Sequence, residues 1–482
     1  MTFVNRRKFL SSSLSVAGMG AGASLLSRFA ISSAAAQDSS DYKALVCVFL
    51  VGAMDHADTL LPFDQPSYDA LAAMRPGIFS QYAAEAGGAD LSSRARENLI
   101  PLTLSNASDY GGRQFALPPQ FSALAPAFDR GDAAIVGNVG PLIQPTSRDE
   151  FENASVPLPP RLFSHNDQQA TWQSLGVEGA QLGWGGLFSD AAFENAPGQN
   201  RQFLSVNATN NPLFLAGRNT RPFLFQTNNV ALPNIYTNNQ LLGFSGDDRN
   251  AARTRLETYF ANLATQNPDL FDQDMSSFAR MSIENAEAFQ SAQSSSLPLP
   301  TGPGFDFPNT GIGGQFRRIA ETISNRRALN TSRQMFYAGM GGFDTHSDQA
   351  GTLPELQSQL ADAIAVFLNV MEFLGEDENV VTFTASDFGR TVIENGDGTD
   401  HGWGGHHFVF GKAVNGGQAY GDIPPIDFAD PAYTNQSGRL IPSTSVDQYA
   451  ATLGRWFGLS SSQLTNALPN LGNFETSALG FL

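Results

Sequence analysis

Six histidines, His56, His165, His346, His401, His406 and His407, each stand within seven positions of an aspartate. They fall in segments that read as loops or at the first residues of a strand, and none falls inside a stretch with helical periodicity. Neutral imidazole and carboxylate are the ligands that zinc and similar divalent ions take. The pattern therefore points to a metal-type or hydrolytic site. Asp344 and His346 are two apart, so in extended backbone both project from one face. Asp400 and His401 are adjacent in a glycine-flanked loop, which still allows them to converge. Two ions roughly 3.5–4 Å apart can clamp the attacking and leaving oxygens of a phosphoryl displacement. Arg161 and Arg390 are placed to hold the remaining oxygens with their guanidinium forks. Other site types find no support: the sequence has no H-E-x-x-H helix, no G-x-S-x-G elbow and no P-loop. Its one cysteine, Cys47, lies in an apolar run and reads as a core residue.

Such side chains need elements to position them. Residues 42–51 (YKALVCVFLV) are apolar except for Lys43, the pattern of a strand buried on both faces. Residues 133–139, 334–339 and 379–384 read in the same way. Asp55 and His56, Asp344 and His346, and Asp387 each follow one of these strands, and in open α/β sheets sites gather at the carboxyl ends of strands. Helices are expected at 121–129, 316–326, 353–374 and 446–457. In the helix at 353–374 the stripe Leu356, Leu360, Ile364, Phe367 and Met371 faces the core. An amphipathic stretch at 168–175 follows His165. His406 and His407 open a further strand, where neighbours face opposite sides, so at most one is expected at the site. Residues 180–250 read as irregular loops and short strands, 253–289 as helix interrupted at Pro268, and 292–314 as a Ser/Pro/Gly linker or lid. The segment 180–312 is thus expected to be a loop-rich insertion.

Among 482 residues, 41% are hydrophobic and 15% charged, which supports a sizeable core and excludes wholesale disorder. With 46 acidic against 28 basic residues the net charge is -18, which argues against a nucleic-acid partner. The start of the chain reads as an address. Arg6 and Arg7 precede Phe9-Leu10, a weakly apolar stretch runs from Leu10 to Ile31, and Ala34-Ala35-Ala36 offers a small-x-small cleavage site. This organisation predicts a twin-arginine signal over 1–36 and a mature domain over 37–482. It makes the twin-arginine export machinery a partner and the periplasm or exterior the destination. No other run is long and apolar enough to span a bilayer, so no stable membrane span is expected after cleavage.

The motifs V-G-A-M-D at Val51–Asp55, S-H-N-D at Ser164–Asp167, G-G-F-D-T-H at Gly341–His346, S-D-F-G-R at Ser386–Arg390 and D-H-G at Asp400–Gly402 resemble the bacterial domain-of-unknown-function 1501 family. So does the end, with Asp447-Gln448-Tyr449 and Trp456-Phe457-Gly458. The resemblance covers nearly the whole mature chain. That family is grouped with alkaline phosphatases and sulfatases, which implies an α/β three-layer sandwich around a central, mostly parallel sheet. It also implies a two-metal site in a set order: Asp55, then a nucleophile, then Asp344 with His346, then Asp387, then His401. Ser164 fits the nucleophile, with Thr146 and Ser147 as alternatives. Phe388 stands where the superfamily places a histidine ligand, and His165, His406 or His407 would have to supply the missing donor. The sulfatase nucleophile pattern is absent.

The expectation is an exported hydrolase of phosphate mono- or diesters, acting on a small or polymeric ester with one or two divalent ions, zinc first among them. Ser164 would attack, and Arg161 or Arg390 would steady the ester. A non-catalytic exported binding or assembly protein on the same fold is the alternative, motivated by Phe388.

Overall fold

The expected first strand forms as β1 (Lys43–Leu50), with every residue but Lys43 buried. The structure, a computed structural model, describes residues 41–211, 213–224, 247–266, 269–295, 298–435 and 438–482. The proposed signal over 1–36 lies outside the described residues. The other strands are β2 (Leu61–Pro62), β3 (Ile100–Leu102), β4 (Phe115–Leu117), β5 (Ala133–Gly140), β6 (Ser205–Asn207), β7 (Phe223–Leu224), β8 (Arg333–Met340), β9 (Val380–Ser386), β10 (Arg390–Glu394), β11 (Thr399–His401), β12 (Gly405–Phe410), β13 (Ala419–Gly421) and β14 (Thr444–Ser445).

Among the described residues, nine strands make one sheet in the order β13-β5-β12-β9-β1-β8-β6-β7, with β14 also on β5. β1 pairs in parallel with β8 and β9, and β6 continues the parallel set on β8. Only β12 runs antiparallel to its neighbours β5 and β9. β1 sorts its side chains by parity. Ala44, Val46, Val48 and Leu50 join the core beneath the helices Gly311–Ser324 and Gln349–Leu374. Leu45, Cys47 and Phe49 join the opposite core, beneath Trp184–Asn195 and Val446–Phe457. The result is a three-layer α/β sandwich with a mostly parallel centre. Burying each large apolar side chain in these cores contributes roughly 1.5–3 kcal/mol. Helix starts follow the sequence as well: Ser445 and Gln448 form a reciprocal cap that begins the helix at Val446.

Within the segment 180–312, the helices Asp247–Gln266 and Leu270–Ser295 cover the stretch expected as helix, and the short strands β6 and β7 join the sheet edge. The helix Trp184–Asn195 is the departure from the irregular structure expected there. The glycines that suggested loop are there for close approach. A Cβ on Gly186 would sit 2.2 Å from the Ala216 carbonyl carbon, and one on Gly185 2.6 Å from the Phe214 ring. One long helix ends at Gln266 and the next begins at Leu270, and the interruption expected at Pro268 lies outside the described residues. Among the described residues, no helix is long and apolar enough to cross a membrane.

Candidate metal centre

Three parallel neighbours, β9, β1 and β8, end at the same edge of the sheet, and their following loops carry Asp387, Gly52 and Asp344. The antiparallel β12 starts at that edge, which brings the preceding hairpin β10–β11 and His401 to the same place. His165 comes from the first turn of the helix His165–Ser174. The expectation that no histidine lies in a helix fails here, because the helix begins three residues earlier than the amphipathic pattern did.

His165, Asp344 and His401 each present a ligand atom, all within 4.8 Å of one another. His346 adjoins them: its Nε2 is 2.7 Å from His401 Nε2 and 3.2 Å from Asp344 Oδ1. His401 Nε2 is 3.4 Å from the same carboxylate oxygen, and His165 Nε2 is 3.4 Å from Asp344 Oδ2. The other nitrogen of each ring is anchored. His165 Nδ1 lies 2.6 Å from Asp387 Oδ2, His346 Nδ1 3.2 Å from Asp400 Oδ1, and His401 Nδ1 2.7 Å from the Phe163 carbonyl. A carbonyl or carboxylate can only accept, so Nδ1 carries the proton in all three rings. In a neutral ring each Nε2 then keeps its lone pair, and those of His346 and His401 face each other. Two such lone pairs 2.7 Å apart repel unless they share a cation or a proton. His165 Nε2 is buried and without a hydrogen-bond partner. Imidazoles anchored at one nitrogen and converging at the other are the arrangement of metal-ligating histidines, and with a carboxylate they suit zinc. The donor set fits a divalent ion.

Charge in the site follows from its neighbours. Burial raises the Asp344 pKa, but the hydrogen bond and charge of Arg390, 2.6 Å away, outweigh it and hold the carboxyl below its ordinary value. The Asp387 hydrogen bond raises the His165 pKa against partial burial. Burial lowers that of His401 and favours its neutral form. The site opens to solvent: the side chains of Asp344 and His346 are 44% and 42% exposed.

Other expected residues are not among the converging donors. Asp55 is no ligand of it. Its carboxylate is fully buried and takes both terminal nitrogens of Arg75, at 2.7 and 3.0 Å, together with the Gln349 amide at 2.8 Å. Burial raises its pKa, and the Arg75 charge overcomes that and lowers it. Asp387 belongs to the layer behind the ligands, since it accepts from His165, from Gln169 Nε2 at 2.9 Å and from Gly52 N at 3.3 Å. Arg390 is fully buried, and its fork is spent on Asp344, the Gly52 carbonyl and Thr399. It is not available to an ester. Arg161 is 73% exposed and lies 3.8 Å from both Asp167 and Glu178. Ser164 donates to Asp167 Oδ2 at 2.7 Å. Ser147 caps the helix Arg148–Glu152 instead of serving a site.

The Phe388 ring packs 4.9 Å from that of His165 and 4.8 Å from that of His401. Neither His406 nor His407 supplies the missing donor. His406 accepts from Asn138 N and packs on His56, while His407 packs on Trp172 and lies 3.2 Å from Thr384 Oγ1. They do face opposite sides of β12. Trp403 is fully buried against Phe151 and donates to the Pro141 carbonyl, so it packs and does not line the site.

Sequence reasoning missed Gln349 altogether. Its amide nitrogen bonds Asp55 and Asp58, and its oxygen accepts from Thr345 and Thr399. It thereby joins the two ligand-bearing loops to the buried ion pairs Asp55–Arg75 and Asp58–Arg94. A lone glutamine at a helix start gives no local signal of this.

No curated protein matches the chain. Among solved structures, the crystal structure of Ps i-CgsB in complex with k-i-k-neocarrahexaose is similar with a TM-score of 0.34 and 10% identity, over 91% of this chain and 77% of that one. A likeness of that degree says nothing about chemistry. A family profile described as "Protein of unknown function (DUF1501)" matches residues 42–468, and the chain belongs to that family.

Proposed function

We propose that the chain is an exported, divalent-metal-dependent hydrolase of phosphate mono- or diesters on an alkaline-phosphatase-like scaffold. The observation that carries this reading is the convergence of the His165, Asp344 and His401 donor atoms, with His346 Nε2 beside His401 and Asp344 and every Nδ1 anchored. His165, Asp344 and His401 would hold one ion, with His346 beside them. Asp55 is paired with Arg75 outside this set, and Arg390 serves it only by holding the Asp344 carboxylate. A divalent cation there supplies Lewis acidity toward charge developing on an ester oxygen. Asp387, Asp400 and the Phe163 carbonyl fix the ring tautomers. Ser164 is the nucleophile of this reading. As its Oγ would bond to phosphorus, its proton would pass to Asp167 Oδ2, which already accepts it. The ester P–O bond would break and the alcohol leave with that proton. Water would then attack phosphorus, give a proton to Asp167 and release phosphate as the Oγ–P bond breaks and Ser164 takes the proton back. The twin-arginine pattern in 1–36 supports export of the folded protein to the periplasm or beyond.

The test is elemental analysis of folded mature protein, followed by a panel of aryl phosphate, phosphodiester and sulfate esters before and after dialysis against a chelator. About one zinc-type ion per chain and chelator-sensitive turnover of a phosphate ester are expected. Metal-free protein, or turnover indifferent to chelation, refutes the reading. Phe388 favours a second reading, a metal-holding but non-catalytic exported binding protein, because a phenylalanine stands at the sequence position expected for a second ion's ligand. Stoichiometric metal with no turnover on the whole panel would select it.

A further inference from the structure

Three arginines surround the cluster, and their nitrogens are committed very differently. Arg390 is buried and fully bonded to Asp344, Gly52 and Thr399. Arg161 extends into solvent toward two carboxylates 3.8 Å away. The third, Arg439, lies in the loop that returns after Tyr433. Its Nε donates to the His401 carbonyl at 2.7 Å. Its guanidinium carbon stands 4.5 Å from the centre of the Phe163 ring, and the carbonyl of that same Phe163 anchors His401 Nδ1. Arg439 is therefore fastened at two points to the surroundings of one proposed ligand.

Its backbone is held as firmly. Thr434 N donates to the Arg439 carbonyl at 2.9 Å. On either side, Val392 N donates to the Gly438 carbonyl and Gly404 N to the Leu440 carbonyl. Gly438 has φ 64° and a Cβ there would meet the Phe428 ring at 2.5 Å, so the turn that presents Arg439 requires glycine. The two terminal amino groups of Arg439 form no hydrogen bond or ion pair among the described residues. They are not among the buried unsatisfied atoms, so solvent reaches them. The nearby Asp400 is engaged by His346 and Asn395 and does not pair with Arg439. A guanidinium fixed through Nε and one face, with both amino groups free, matches two oxygens of a tetrahedral oxyanion in fork fashion.

We propose that Arg439 is the anion-recognition residue of this site, taking two non-bridging oxygens of a phosphate ester held beside His401. The assignment rests on the phosphate-ester reading above and replaces Arg161 and Arg390 in that role.

The test titrates inorganic phosphate into the full mature protein, as purified and after zinc loading, by calorimetry. Wild type is compared with Arg439→Met and Arg439→Lys, and metal content and melting temperature are measured for each. A loss of about 10- to 100-fold in phosphate affinity is expected for Arg439→Met, the range for a removed charge-assisted pair of hydrogen bonds. Arg439→Lys should recover part of it, and metal content should be the same in all three. Phosphate bound equally by wild type and Arg439→Met, or by neither, overturns the assignment whatever the metal content. Loss of metal in both variants overturns it too, because Arg439 would then position His401 only. Wild type that holds no metal yet binds phosphate through Arg439 refutes the hydrolase reading and leaves this one standing.

Discussion

Asp387→Asn isolates the role of the layer behind the ligands. Asp387 is fully buried, and its Oδ2 takes the His165 Nδ1 proton at 2.6 Å. Asparagine keeps an oxygen that can accept this proton but removes the charge. A hydrogen bond to a charged group contributes about 1.5–3 kcal/mol and a neutral one about 0.5–1.5 kcal/mol, so the loss to His165 as a ligand is roughly 1–2 kcal/mol. Loss of such supporting groups from metal sites costs about 10- to 100-fold in affinity, which at about 1.4 kcal/mol per tenfold is about 1.4–2.8 kcal/mol and overlaps that range. Zinc affinity, measured by competition with a chromophoric chelator, should therefore fall by roughly 10- to 30-fold. The visible spectrum of the cobalt-substituted protein should shift, since ring orientation and basicity both change. His165→Ala, which removes the donor itself, should weaken binding further. Metal-free Asp387→Asn should melt close to the metal-free parent, because the side chain keeps its volume and an acceptor for Gln169 and Gly52. Unchanged zinc affinity in Asp387→Asn, with His165→Ala impaired, would break the argument that anchored tautomers make these histidines ligands.

Arg75→Met leaves the Asp55 carboxylate buried without its partner and should cost about 3–5 kcal/mol in urea unfolding. Asp55→Asn combined with Arg75→Met should recover most of that and keep full metal content, whereas loss of metal would restore Asp55 as a ligand. Asp447 predicts a pH dependence. Burial raises its pKa from 3.8 to about 6, and its Oδ2 has no hydrogen-bond partner. A carboxyl raised on folding contributes stability below about pH 4, and that contribution is lost as pH rises through about 6, at most about 3 kcal/mol for two units. Asp447→Asn should gain stability over the parent across that window in chemical denaturation from pH 4 to 8. A difference that does not change with pH refutes the assignment.

The strands and the loops after them were legible because buried parallel strands announce themselves as unbroken apolar runs ending at glycine or polar residues. Asp344, His346 and Asp387 could be placed at one edge on that basis, and His401 followed from its glycine-flanked loop. What the sequence did not disclose is where each charge is spent. Asp55 follows its strand as a ligand should, yet Arg75, twenty residues on at the junction of two helices, claims it. Arg390 sits beside the motif like a substrate-binding cation, yet it is enclosed and serves Asp344. Arg439 was invisible because its partners, His401 and Phe163, lie 38 and 276 residues away in sequence. Local pattern reports periodicity and chain direction; the pairing of long polar side chains is decided by contacts across the fold.

The same contrast separates two kinds of histidine in this molecule. His407 is enclosed between Trp172 and Tyr449, and burial pushes its pKa down to about 3. His56 is likewise buried, pushed to about 4, and packs edge-on against His406. These rings are neutral core residues, and no carboxylate accepts from them among the described hydrogen bonds. His165, His346 and His401 instead stand half-open to water, with a carboxylate, a carboxylate and a carbonyl behind them. Leaving a buried Nε2 unbonded costs about 1–3 kcal/mol, and the 2.7 Å approach of two further Nε2 atoms adds repulsion. A purely structural cluster would relieve both by turning one ring over, and the anchors on each Nδ1 prevent that. A proton shared by His346 and His401 would relieve the second of these, whereas a cation held by His165, Asp344 and His401 would relieve both, which is the physical ground for proposing a metal centre.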